Sequence, residues 1–398
     1  PSSSEAVGQT KPPSSSEAVG QKKLERCIEG VWAIFGHGNV AGLGEALWHA
    51  QDSFPTWRGQ NEQTMAHAAI AYAKTKRRKR AQAVTSSIGP GSTNLVTAAA
   101  LAHVNRLPVL LIPSDIFAGR GPDPVLQQIE DFDDGTVSAN DVLKPVSRYF
   151  DRIMRPEQIM TALPRALQMM TDPANCGPAT LAFPQDVQAE AFDYPAHFFA
   201  PKVWRIRRPE PDPREVAEVV EMLKRAERPM IVSGGGVLYS EAEGALLDFA
   251  RKHNIPVVET QAGKGALSWE EPLNFGSSGV TGTGVANDVA AETDLVIGLG
   301  TRFQDFTTGS WTVFSHPGRK LVSINLHGYD ALKHGAVGLV ADARQAILAI
   351  DKGLGDKVYG DQDKGRRAAW FDATDALCAA PNHDDLPTDA QVIGAVQR

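Results

Sequence analysis

The chain has 398 residues, 42% of them hydrophobic, with 40 Lys and Arg against 47 Asp and Glu and a formal net charge of −7. That length accommodates two or three domains with cores of their own. The acidic balance argues against a nucleic-acid surface, and no apolar run reaches the roughly 20 residues that cross a bilayer. Cys27, Cys176 and Cys378 lie far apart and form no CxxC pair. Such thiols fit a reducing compartment and pack as small apolar groups. The polar start lacks the apolar core of a secretory signal, so a soluble cytoplasmic protein is expected.

The nine letters PSSSEAVGQ occur at residues 1–9 and again at 13–21. Two copies are too few for a solenoid, so residues 1–23 are expected to be a disordered leader or a cloning-derived repeat. From Leu24 onward short apolar runs alternate with amphipathic stretches. Val31–Phe35, Ala81–Ser86, Val109–Pro113 and Thr180–Phe183 predict buried strands. Glu62–Lys74, Ser92–Asn105 and Glu157–Thr171 predict the helices between them. Near-continuous apolar strands alternating with helices imply a parallel sheet covered on both faces. Residues 24–194 are read as one such domain.

The Pro-rich stretch 195–213 reads as a linker. It closes with Asp212, Pro213 and Glu215, which suit the N-cap, first turn and N3 position of a new helix. A second series follows over 214–353. Its strands are expected at Met230–Ser233, Val257–Glu259, Leu295–Leu299, Val322–Leu326 and Leu339–Ala341, with helices at Ala242–His253 and Asp342–Lys352. The fold class is therefore α/β, with two successive doubly wound parallel-sheet domains. After Gly353 the text turns polar and irregular, and Pro387–Arg398 has a helical pattern. Residues 354–398 are expected to be a linker and the first helix of a further domain that is cut short.

Four segments have the makings of a site. In RGQNEQ, Glu62 opens a helix at a strand-end turn, where doubly wound folds bind ligands. Taken alone it is equally a first-turn carboxylate favoured by the helix dipole. In SSIGPGSTN, Gly89, Pro90 and Gly91 make a tight turn between a strand and a helix, and Asn94 follows. This allows a ligand close to the backbone, although simple turn chemistry explains the segment as well. In FGHGNVAGLG the spacing does not match a dinucleotide loop, and His37 and Asn39 suit a substrate-facing turn better; a structural His remains open. Ser233–Gly236, with Gly298–Arg302 and Asp305, offers a weak nucleotide cradle. The basic run Lys76–Arg80 is expected to be a solvated loop.

In this order, FGHGN, RGQNEQ, TSSIGPGSTN, PDPVLQQIEDF and the glycine-rich second half resemble the thiamine-diphosphate-dependent enzymes of the acetohydroxyacid synthase family, from about Leu24 to Arg398. The stretches GVWAIFGHGNVAGLGEAL, AHVNRLPVLLIPSDIFAGRGPDPVLQQIEDF and GPATLAFPQDVQAEAFDYP resemble the branch that opens a cyclic 1,2-dione in myo-inositol catabolism. The resemblance implies a pyrimidine-binding first domain and a Rossmann-like central one. It implies that Glu62 is the catalytic glutamate, hydrogen-bonded to the aminopyrimidine ring of the cofactor. His37 and Gln128 are implied as further catalytic residues, and Gly89, Pro90, Gly91, Asn94 and Asn39 as cofactor neighbours. It also implies Mg²⁺ beside the diphosphate, yet no GDG motif occurs here, so no metal ligand is expected in this chain and FAD is not expected either. The implied partners are a small cyclic dione and a second copy of the chain in a homodimer or homotetramer, with neither nucleic acid nor membrane. An acetolactate-synthase-like carboligase is the alternative within the family, and a non-catalytic nucleotide-binding or structural module the alternative outside it.

Overall fold

The computed structural model describes residues 26–361, 363–379 and 386–397. The repeat at residues 1–21 lies outside them. The twelve strands among the described residues divide into two sheets, and the central strands are apolar on both faces. Along the strand Val109–Asp115, Val109 and Leu111 pack into one cluster with Met65, Ala69 and Val84, while Leu110 packs into another with Val31, Ala83 and Leu181. The strand Pro229–Ser233 divides likewise, Ile231 to one side and Met230 and Val232 to the other. Alternate residues point to opposite faces, so a run apolar at every position must be covered twice. Each fully buried Val, Leu or Ile contributes about 1.5–3 kcal/mol.

The first sheet comprises β1 (Ile28–Ala33), β2 (Thr56–Arg58), β3 (Ala81–Ser86), β4 (Val109–Asp115), β5 (Tyr149–Arg152) and β6 (Pro178–Pro184). Their order is β2-β1-β3-β4-β6-β5, all parallel. The second comprises β7 (Pro229–Ser233), β8 (Val257–Glu259), β9 (Asn274–Ser277), β10 (Leu295–Leu299), β11 (Lys320–Asn325) and β12 (Val337–Val340). Its order is β12-β11-β10-β7-β8-β9, again all parallel. In each, the chain winds outward on one side of the first strand and then returns to its other side. Neighbours β1 and β3, and likewise β7 and β10, thus send their following loops in opposite directions. A crevice opens there at the carboxyl ends of the strands.

The two-sheet α/β class expected from the sequence is the one observed. Three strands the sequence reading did not register, β2, β5 and β9, are all edge strands of three or four residues. An edge strand has one neighbour and need not be apolar throughout, so its pattern is weak. The helix expected over Ser92–Asn105 is two, Pro90–Thr93 and Val96–Asn105, broken at Asn94 and Leu95. At the start of the second domain, Asp212 accepts the Arg214 amide at 2.8 Å and caps the helix Pro213–Arg225. Glu215 does not close a capping box; it accepts the Val340 amide at 3.2 Å and ties that helix to β12.

Two expectations need correction. The stretch after Gly353 is not irregular throughout, because Lys364–Leu377 is a helix. It lies along the second domain: Arg367 donates to the carbonyls of Asn274 (2.6 Å) and Trp269 (2.5 Å), and Arg366 pairs with Glu292 at 2.9 Å. Gly284 carries no side chain where the Trp370 ring sits. The basic run is not a solvated loop. Arg78 stacks on the Tyr239 ring at 3.6 Å, Arg77 pairs with Glu243 at 2.7 Å, and Lys79 pairs with Glu241, so the run docks the first domain on the second. The exposed pairs are worth little, but the desolvated stack is worth about 1–2 kcal/mol.

Glycine packing at the second crevice is tight. Gly300 has φ +62°, and a Cβ there would lie 2.5 Å from the Cα of Gly236. Gly300→Ala is therefore expected to lower stability by about 2–4 kcal/mol, since left-handed strain and a backbone clash add. Urea unfolding checks this; a midpoint within error of the parent would contradict it.

Candidate active site

The crevice of the first domain is assembled from three loops. After β3, Ser87-Ile88-Gly89 turns into the short helix Pro90–Thr93. Gly89 has φ +65°, and a Cβ there would lie 1.9 Å from the carbonyl oxygen of Gln127. Only glycine fits both the dihedral and the close approach. After β2, Asn61 caps the helix Glu62–Thr75 by accepting the Thr64 amide at 3.0 Å, which turns Glu62 toward the β3 loop. The Glu62 Oε2 accepts a hydrogen bond from Asn94 Nδ2 at 2.9 Å. Across the turn, a Cβ on Gly91 would lie 3.2 Å from Glu62 Oε1 and 2.4 Å from Ser87 Oγ. Glu62, Ser87, Gly91 and Asn94 thus form one cradle with a bare backbone floor.

The loop after β1 abuts the same turn. Ile88 N donates to the His37 carbonyl at 3.1 Å. Gly36 faces the Ser87 Cβ, and Gly38, at φ +98°, faces Ser114 and Ile88. His37 is half-buried there. Asn39 is the residue expected beside the cofactor. It is 1% exposed, accepts from Gly36 N at 2.9 Å, and donates to the Ile34 carbonyl (3.0 Å) and Thr85 Oγ1 (3.2 Å). With its amide so engaged, Asn39 shapes the His37 loop from inside. Gln188 does the same from behind: its Nε2 donates to the Gly38 carbonyl at 2.7 Å and its Oε1 accepts the Leu43 amide at 3.1 Å. No sequence signal marked Gln188, which sits 150 residues from Gly38. Ser87 was legible only as part of the turn.

Gln128 belongs to the long loop after β4. Its Oε1 accepts the Val125 amide at 3.0 Å, and it lines a cavity of about 470 Å³ with Phe117, Arg120 and Glu130. This loop meets the cradle where Gln127 covers Gly89. The base of the loop is fixed by a buried network. Arg152 Nε donates to Asp115 Oδ2 and its Nη2 to Asp141 Oδ1, both at 2.7 Å, while Ser138 Oγ donates to Asp115 Oδ1 at 2.5 Å. Burial alone would raise the Asp141 carboxyl, but hydrogen bonds from Arg152, Lys144 and the Ser138 amide outweigh it and hold the group below the ordinary carboxylate value. Among the described residues no group of three or more His, Cys, Asp or Glu is arranged to hold a metal ion. No described helix is long and apolar enough to cross a membrane.

A carboxylate facing a glycine floor, at the switch point of the first of two parallel-sheet domains, is the arrangement of a ligand-binding α/β protein. Residues 28–133 match the family description "Thiamine pyrophosphate enzyme, N-terminal TPP binding domain", and residues 216–350 match "Thiamine pyrophosphate enzyme, central domain". The chain is 49% identical over 359 residues to the 3D-(3,5/4)-trihydroxycyclohexane-1,2-dione hydrolase of Geobacillus thermodenitrificans, covering 90% of this chain and 56% of that protein. Proteins of the same description from Bacillus cereus (strain AH820) and Bacillus thuringiensis (strain Al Hakam) are 49% identical over 328 residues, covering 82% of this chain and 51% of theirs. The chain belongs to the thiamine pyrophosphate enzyme family. It spans about half the length of the curated relatives it matches.

The depressed Asp141 fixes the sign of one pH effect. Its ionised form is favoured in the folded chain, so its contribution is present above the unfolded value of about 4 and is lost as pH falls through the folded one. Asp141→Asn should be less stable near neutrality and lose less stability between about pH 5 and pH 3 than the parent. Denaturant midpoints across that range would expose the opposite slope if the assignment were wrong.

Proposed function

We propose that this chain supplies the aminopyrimidine side of a thiamine diphosphate site, in an enzyme that opens trihydroxycyclohexane-1,2-dione to 5-deoxy-glucuronate in myo-inositol catabolism. The observation that carries the reading is the Glu62 carboxylate beside Gly91 and Asn94, at the switch point of the domain that matches the family's cofactor-binding description. The names of the relatives supply the substrate. The cradle suits a flat heteroaromatic ring. Gly91 lets the turn backbone come close to the carboxylate, Pro90 holds that turn, and Glu62 would present an oxygen to a ring nitrogen.

When bound, thiamine diphosphate supplies a carbon nucleophile and an electron sink for C–C cleavage. The chain's own part is to hold a proton at the Glu62 carboxyl where it hydrogen-bonds the ring nitrogen, and to keep that carboxyl aimed through the Asn94 amide. His37 and Gln128, from the loops flanking the turn, face the dione and orient it against the cradle. Asn39 contributes by fixing the His37 loop. Mg²⁺ and the diphosphate fall to residues beyond these two domains, in line with the absence of a GDG motif in the sequence. FAD has no role in this reading. We also read the protein as a cytoplasmic homodimer or homotetramer, on the family resemblance.

In the full-length protein carrying this chain, Glu62→Gln should lower kcat by about 10²- to 10⁴-fold while the urea midpoint stays near that of the parent. Product analysis decides the substrate: a deoxyuronic acid from the dione is expected, whereas acetolactate from pyruvate would indicate a carboligase. Near-normal turnover in Glu62→Gln would remove the carboxylate from the reaction.

A further inference from the structure

The short helix Gln185–Ala189, which follows β6, touches both loops that flank the cradle. Asp186 faces the loop after β4: its Oδ1 accepts the Ala118 amide at 2.9 Å and its Oδ2 the Gly119 amide at 2.8 Å. Gln188, two residues on, faces the loop after β1. Its Oε1 accepts the Leu43 amide at 3.1 Å, and its Nε2 donates to the carbonyls of Gly38 (2.7 Å) and Phe183 (2.8 Å). Both loops meet the helix with glycine. A Cβ on Gly42 would lie 2.4 Å from the Gln188 Cβ, and one on Gly119 would lie 3.3 Å from Asp186 Oδ2. Between the two polar side chains, Val187 is buried in the core cluster of Leu47, Leu110 and Leu181, which anchors the helix to the sheet.

Four hydrogen bonds thus run from two side chains to main-chain groups of two separate loops. The residue types suit the groups they meet. A carboxylate accepts from two adjacent N–H groups and donates nothing, which matches Ala118 and Gly119. A side-chain amide accepts from one N–H while donating to carbonyls, which matches the mixed face of the loop after β1. Asn at 186 would turn an NH2 toward one of the two amides, and an apolar residue at 188 would leave three main-chain groups unpaired. His37 directly precedes Gly38, one of the anchored residues. Phe117, next to Ala118, lines the same cavity as Gln128.

We propose that Asp186 and Gln188 are positioning residues for the reaction, and that their helix sets the spacing of His37 from Gln128. This rests on the reading of His37 and Gln128 as the residues that face the dione. The helix is a shared post: loosening its grip on one loop loosens the other. A ring held between two loops is misaligned when either shifts, and a displacement of about 1 Å costs about 100-fold in rate. Neither side chain acts on the dione itself; both act through the main chain of the loops they hold.

Turnover and amide hydrogen exchange in the full-length protein carrying this chain test the proposal. Asp186→Asn and Gln188→Leu should each lower kcat by about 10- to 100-fold, with KM within about threefold of the parent. Thiamine diphosphate affinity, by calorimetry with Mg²⁺, and far-ultraviolet circular dichroism should match the parent. Asp186→Asn should speed exchange in residues 36–44 as well as in 117–130, and Gln188→Leu should speed it in 117–130 as well as in 36–44. The double variant should cost less in kcat than the product of the single effects. Should the variants fail to fold, exchange in the parent decides: both segments should open with one free energy and one urea dependence, and unequal values overturn the proposal. Acceleration confined to the loop beside the substituted residue, or parental kcat in either variant, also overturns it. Exchange does not depend on the reaction, so coupled loops in a parent that leaves the dione intact support the shared post and overturn only the reading of the site.

Discussion

The site depends on one close approach. The Glu62 carboxylate reaches the Asn94 amide over Gly91, where a single added methyl carbon would crowd both the carboxylate and Ser87 Oγ. Glu62 opens one helix and Asn94 closes another, and the two helices follow different strands, β2 and β3. Their meeting is a consequence of strand order. Because β1 lies between β2 and β3 in the sheet, the helix after β2 meets the turn after β3 across the end of β1, beside the His37 loop. Every other feature of the crevice, including the His37 loop and the Gln127 lid over Gly89, is arranged around that bare turn.

The second domain uses the same solution with different occupants. Gly234 N bonds to the Leu299 carbonyl at 2.9 Å and Gly236 N to the Gly300 carbonyl at 3.0 Å, drawing the loops after β7 and β10 together without side chains. The first domain puts a carboxylate at its switch point; the second leaves backbone, with Arg302 just beyond. The two crevices are joined by an interdomain seam whose residues are chiefly basic from the first domain and acidic or aromatic from the second: Arg77, Arg78, Lys79 and Arg106 against Glu243, Tyr239, Glu241 and Asp330. Charge complementarity of this kind sets the docking register more than it adds affinity.

Legibility followed burial. Strands β3, β8 and β10 agree with the sequence at both ends; each is buried at every position and lies between two neighbouring strands. The edge strands β2, β5 and β9 escaped, since a three-residue segment such as Thr56–Arg58 needs only one neighbour and one covered face. The helix Lys364–Leu377 escaped for a related reason: it is held to the second domain by arginines bonding carbonyls rather than by an apolar stripe. The KRRKR run misled because charge density in sequence says nothing about what faces it, and Tyr239 and Glu241 lie some 160 residues away.

The amino-acid sequence by itself determined the two parallel-sheet domains, since doubly apolar strands admit no other covering, and it marked Glu62, Gly89 and Gly91 as a turn and helix start fit for chemistry. Tertiary structure alone decided which of the nearby polar groups look inward. Asn39 spends its amide on Gly36, Ile34 and Thr85, and Gln188 arrives from the far end of the domain to set the His37 loop. It also brought Arg106, Arg148, Arg302 and Lys333, from separate segments, to the rim of one cavity. Hydrogen bonds and charges act over a few ångströms of space, and only the strand order converts separations along the chain into such distances.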